Sequence, residues 1–93
     1  MTQIIIRKLS KPGCTPCKAI TNYIGIISEQ LAEAGATVSE HDIAVEPELI
    51  DKYGLQGVPV LVYERNGLEV ARLNGLVSPQ EILDTVEYAK EVR

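Results

Sequence analysis

Both cysteines of the chain stand in the run Lys11-Pro12-Gly13-Cys14-Thr15-Pro16-Cys17, where a turn-prone stretch gives way to a long helical pattern. A β-branched segment, Ile4-Ile5-Ile6, lies just upstream, so the two thiols are set at a strand-to-helix junction. Thiols with this spacing at a helix start suit reversible thiol–disulfide exchange. The placement also limits the fold, because a strand buried on both faces has to feed a helix packed on its own sheet.

The chain has 93 residues, which predicts one domain over residues 1–93 with a modest core. Hydrophobic residues make up 45% and charged residues 24%, a composition of globular proteins and not of disordered ones. With a net charge of -4, attraction to a phosphate backbone does not supply the affinity that nonspecific nucleic-acid binding requires. No nucleic-acid partner is expected. The apolar runs are far shorter than the roughly 20 residues of a membrane span, and the start of the chain reads as a strand and not as an export signal. The expectation is a cytoplasmic monomer without membrane attachment, in a reducing compartment where a cysteine pair is more often catalytic or metal-binding than structural.

Taken in order, Gln3 to Leu9 predicts a central strand, and Ser10 to Gly13 ends it. Ile20, Ile24, Ile27 and Leu31 recur at helical spacing, which predicts one helix of four turns from Cys17, with Pro16 in its first turn and Gly35 closing it. Ala36 to Ile43 predicts a second strand, Glu46-Pro47 a short helix through Tyr53, and Val60 to Tyr63 a third strand. Asn66-Gly67 between β patterns predicts a hairpin that pairs Glu69–Leu73 with Val60–Arg65. Ser78-Pro79-Gln80-Glu81 predicts a capped last helix with Ile82, Leu83, Val86 and Ala89 inward. The order is β-α-β-α-β-β-α. Strands joined across a helix are expected to be parallel and the hairpin antiparallel, which gives an α/β fold with a four-stranded mixed sheet and helices on both faces.

Lys52-Tyr53-Gly54, Val58-Pro59, Asn66-Gly67, Gly75 and Ser78-Pro79 follow one another as they do in thioredoxins. With Cys14-Thr15-Pro16-Cys17, they make the chain resemble a small member of the thioredoxin superfamily over nearly its whole length. Ser10-Lys11-Pro12-Gly13-Cys14 is more similar to the glutaredoxin lead-in, and Gly13 stands where thioredoxins carry tryptophan. The resemblance implies a cis Pro59 beside the cysteines, Val58 offering backbone hydrogen bonds to an extended substrate, and Gly75 and Leu76 completing an apolar rim. It implies no cofactor beyond a redox-active Cys14–Cys17 disulfide.

At a helix N-terminus, the dipole and the unsatisfied N–H groups stabilise a Cys14 thiolate. An ordinary thiol is about 3% ionised at pH 7; one with a pKa of about 7, the value known for thioredoxins, is about half ionised. Cys17, nearly a turn further, suits a buried resolving thiol. A disulfide closing so short a loop removes only about 2 kcal/mol of unfolded-chain freedom, so it is a poor staple. Thr15 and Pro16 set the stiffness of the loop and so its redox poise.

The chain departs from thioredoxins where they place a buried aspartate, since Lys8 stands there, and Glu40 falls where they carry its lysine neighbour. The pair reads either as an inverted charge pair that handles the Cys17 proton and lowers a thiol pKa, or as solvated strand ends. Lys11 reads as a thiolate partner, as a contact for a glutathione carboxylate, or as an exposed loop residue. No metal site is expected, because His41 and carboxylates are the only other donors, and His41 reads as a surface residue at a strand end.

The function implied is reduction of protein disulfides, with ribonucleotide reductase a family-typical substrate and thioredoxin reductase the electron donor. Two alternatives stand beside it. One is a glutaredoxin-like enzyme coupled to glutathione. The other is a binding module whose thiols are incidental.

Overall fold

The computed structural model describes residues 3–92; Met1, Thr2 and Arg93, the ends of the expected domain, lie outside the described residues. The elements run β1 (Ile4–Ser10), α1 (Thr15–Ile26), α2 (Ser28–Glu33), β2 (Ala36–Asp42), α3 (Glu48–Tyr53), β3 (Val60–Arg65), β4 (Leu68–Asn74) and α4 (Pro79–Glu91). The strands form one mixed sheet in the order β2-β1-β3-β4, with β1 parallel to β2 and antiparallel to β3. β4 pairs antiparallel with β3 through the hairpin at Asn66-Gly67, where both residues take positive φ (55° and 80°). That is the conformation for which Asn-Gly is selected.

Alternate residues of β1 serve opposite faces. Ile4 and Ile6 are fully buried on one side, among Ile20, Ile27 and Leu31 from the α1–α2 segment and Ile82, Val86 and Ala89 from α4. Leu9 lies on the other side, with Leu49 and Tyr53 of α3 and with Val60 and Val62. The sheet is therefore covered on both faces, as the unbroken isoleucine run requires.

The structure corrects the sequence reading at three places. The helix that starts beside the cysteines is not continuous, because Ile27 leaves helical geometry (φ -100°, ψ 16°) and divides α1 from α2. Gly25, the β-branched pair Ile26-Ile27 and Ser28 are poor helix formers in succession, and such runs bend helices. The Ile27 N–H to Tyr23 carbonyl bond (3.1 Å) and the Leu31 N–H to Ile27 carbonyl bond (2.9 Å) persist across the bend, so Ile27 and Leu31 stay in the core.

The second correction is the direction of β3, which runs antiparallel to β1 and so opposite to β2, although α3 joins β2 to β3. The six residues of α3 advance the chain by about 9 Å, far short of the roughly 23 Å of a seven-residue strand. The chain never returns to the far end of the sheet, so β3 starts where β2 finished.

The third correction is His41, which is not a free surface group. Its side chain is 17% exposed and sits 3.1 Å from Ser39 Oγ and 3.4 Å from both Arg7 Nη1 and Glu46 Oε1. The same network continues inward, since Arg7 Nε donates to Glu64 (2.9 Å) and Tyr53 donates its hydroxyl proton to the other Glu64 oxygen (3.1 Å). The buried Glu64 carboxylate is thereby satisfied on both oxygens, as a buried charge requires.

Candidate functional site

The sheet register gathers four chain segments at one edge. Ser10 pairs with Asp42, Leu9 with Val60, and Val60 with Asn74, so the ends of β1, β2 and β4 meet the start of β3. The loops leaving that edge carry Lys11 to Cys14, Val58-Pro59 and Gly75-Leu76. Sequence-distant residues become neighbours there because β3 enters from the same end.

Cys14 is the N-cap of α1, in extended geometry, and Thr15 and Pro16 open the first turn. The Cys17 N–H donates to Cys14 Sγ at 3.2 Å, so the sulfur takes the place of the oxygen that usually caps a helix. The first turn of α1 contains no acidic residue, which leaves the positive end of the helix to the sulfur alone. Cys14 and Cys17 form a disulfide with Cα atoms 5.2 Å apart, and are 9% and 4% exposed. The order of exposure is the one a nucleophile and a resolving thiol need.

Across from the sulfurs, the Val58–Pro59 peptide bond is cis and Pro59 is fully buried. The Val58 carbonyl oxygen lies 4.0 Å from Cys14 Sγ. The Gly75 N–H donates to the Pro59 carbonyl at 2.8 Å, which ties the loop after β4 to the proline, and Leu76 beside it is 59% exposed. Val58, Pro59 and Gly75 are thus brought together on one side of the disulfide, with Leu76 next in the chain.

On the other flank is Lys8. It lies two residues before the end of β1, is only 4% exposed, and holds Glu40 of the neighbouring strand at 3.0 Å through Nζ. The pair is lopsided, with the Glu40 side chain 65% exposed, so neither sequence reading holds in full: the lysine is buried and the glutamate is solvated. Thr15, Pro16 and Lys11 are exposed around the cysteines.

Two hollows lie at this edge of the sheet. One, of about 270 Å³, is lined by Cys14 and Cys17 together with Lys8, Lys11, Lys18 and Asp42. The other, of about 250 Å³, runs along Gln56, Gly57, Val58, Pro59, Asn74 and Gly75. Sequence reasoning missed Lys18, Asp42, Gln56 and Gly57. Lys18 had a signal in its place directly after Cys17, whereas Asp42 and Gln56 arrive only through the sheet register and the turn before Pro59. Among the described residues, no three His, Cys, Asp or Glu side chains gather as a metal site needs, and no helix is long and apolar enough to cross a membrane.

The family model described as Thioredoxin matches residues 2–88. The SPbeta prophage-derived thioredoxin-like protein YosR of Bacillus subtilis (strain 168) is 40% identical over 87 residues, covering 92% of this chain and 95% of that protein. The thioredoxin of Rickettsia bellii (strain RML369-C) is 29% identical over 73 residues, covering 78% of this chain and 69% of its own. Among solved structures, a mutant thioredoxin from Halobacterium salinarum NRC-1 superposes with a TM-score of 0.85 at 25% identity, over 98% of this chain and 78% of that one. The paired cysteines at the start of α1, the cis proline facing them and these matches lead to one assignment: the chain belongs to the thioredoxin family and carries that family's thiol–disulfide oxidoreductase centre.

Proposed function

We propose that the protein is a dithiol reductase of protein disulfides. The observation that carries this reading is the Cys14 sulfur at the N-terminus of α1, facing the Val58 carbonyl, with Cys17 bonded to it and buried behind it. The reduced Cys14 thiolate attacks one sulfur of a substrate disulfide; a mixed disulfide forms and the substrate's second sulfur leaves as a thiolate. Cys17 then loses its proton and attacks Cys14 Sγ. The mixed disulfide breaks, the Cys14–Cys17 bond forms, and the substrate departs as a dithiol carrying two electrons and, after protonation, two protons.

Val58 and Gly75 border the path of an extended substrate backbone, Pro59 packs beside the disulfide, and Leu76 supplies an exposed apolar contact. Thr15 and Pro16 hold the loop between the sulfurs. Lys8 acts as a positioning residue. Its buried ammonium lines the same hollow as both sulfurs, where a cation favours thiolate over thiol, and Glu40 offers a carboxylate at the solvent side of the same hydrogen bond.

The electron donor in this reading is a thioredoxin reductase, the compartment is a reducing cytosol, and the substrates are disulfide-bearing proteins, ribonucleotide reductase among them. The test is insulin-disulfide reduction with NADPH and thioredoxin reductase, beside the same assay with glutathione and glutathione reductase. Turnover with the first and little with the second supports the reading. The reverse pattern assigns the protein to glutathione, for which the exposed Lys11 in its glutaredoxin-like lead-in is the favouring observation. Silence in both, with partner binding retained after Cys14→Ser and Cys17→Ser, leaves a binding module.

A further inference from the structure

The charges around the disulfide run against those of the chain. Net charge is -4, yet the hollow beside the sulfurs is lined by three lysines, Lys8, Lys11 and Lys18, and by one acid, Asp42. The Asp42 carboxylate, whose Oδ1 accepts the Ala44 N–H at 2.8 Å, offsets one of the three lysines. Glu40 offsets Lys8 in part, but it stands outside the lining and its side chain is mostly in water. The hollow on the Val58 side has no charged residue in its lining. The two flanks therefore differ in kind, one being neutral and edged by backbone, the other cationic.

A walled cleft with an excess of one charge sign raises the local concentration of the opposite sign and speeds encounter. From this geometry we infer that the site selects anionic disulfides, in which a carboxylate next to the attacked sulfur lies over Lys11 and Lys18 while the rest of the substrate follows the neutral flank. This rests on the redox reading above and adds a substrate class to it. The overall charge of the chain acts in the opposite direction, because a protein of net charge -4 with a thiolate nucleophile favours cationic substrates.

The test uses the intact protein, reduced with dithiothreitol, desalted, and mixed in single turnover with three small disulfides: 3,3′-dithiodipropionate, 2-hydroxyethyl disulfide and cystamine. Loss of the dithiol is read by mass after quenching with iodoacetamide, and each rate is divided by the rate of free dithiothreitol with the same disulfide. A second arm uses cystine peptides flanked by glutamate or by lysine, which separates small anionic disulfides from acidic protein segments as the source of the carboxylate. The expected result is that, in at least one arm, the anionic form is about fivefold faster than the cationic one at low salt. That preference shrinks towards one in about 0.5 M salt and reverses in the double variant Lys11→Glu, Lys18→Glu. Equal rates in both arms, or a cationic preference, overturn the inference and leave the redox reading standing. No reaction with any disulfide overturns both.

Discussion

Lys8 Nζ lies in a nearly closed position at the end of β1, with one carboxylate at 3.0 Å and both redox sulfurs in the same hollow. Removing that charge takes away a nearby cation that favours thiolate, so Lys8→Met should slow disulfide exchange by about threefold and raise the midpoint pH of Cys14 alkylation by up to about one unit. Lys8→Arg should restore the midpoint; a purely structural lysine would leave the pH profile unmoved in both variants. A second residue-scale prediction concerns Tyr63, which is fully buried and donates its hydroxyl proton to the Ile82 carbonyl at 3.0 Å. Burial raises its pKa well above the ordinary tyrosine range. Because the folded pKa exceeds the unfolded one, the stability tied to this group is intact below pH ~10 and is lost as pH rises beyond it. Tyr63→Phe should cost about 1 kcal/mol at neutral pH through the lost hydrogen bond and flatten the fall of stability above pH ~10. Urea unfolding at neutral pH and again about one unit above the ordinary tyrosine pKa would check both effects.

Among the elements, the two ends of the chain's helical pattern behaved differently as sequence signals. The capping box of α4 was legible because it is local: Ser78 Oγ accepts the Glu81 N–H at 3.1 Å, and Glu81 returns the bond to the Ser78 N–H at 3.2 Å. Ser78→Ala should lower stability by about 1 kcal/mol, read as a lower urea midpoint at unchanged slope. The bend at Ile27 was not legible, because its apolar residues keep helical spacing on both sides and the periodicity passes straight through it. Gly25, just before the bend, has open space where a Cβ would stand. Gly25→Ala should therefore stabilise the protein by about 0.5 kcal/mol and raise Tm by about 3 °C in calorimetry. A fall in Tm would mean that the bend needs the glycine.

At the scale of the whole molecule, the sheet order and the site follow from different kinds of information. Ile4-Ile5-Ile6, Asn66-Gly67 and the paired cysteines each act over a few residues, so they could be read directly. The antiparallel entry of β3 depends on how far a six-residue helix carries the chain, and it is this that sets Val58 against Cys14. The Arg7–Glu64–Tyr53 network and the place of His41 depend in turn on the strand register, as does the cationic hollow that Lys18 shares with Lys8 and Lys11. What the fold accomplishes is to hold one sulfur at the unshielded start of a helix with its partner buried a turn behind. The most direct measurement of that claim is the rate of iodoacetamide alkylation at Cys14 in the reduced protein as a function of pH, with the modified residue identified by peptide mass. The expected result is a midpoint well below the ordinary thiol value of about 8.5, with Cys17 unmodified until Cys14 has reacted. A midpoint at or above the ordinary thiol value, or equal reactivity of the two thiols, would contradict it.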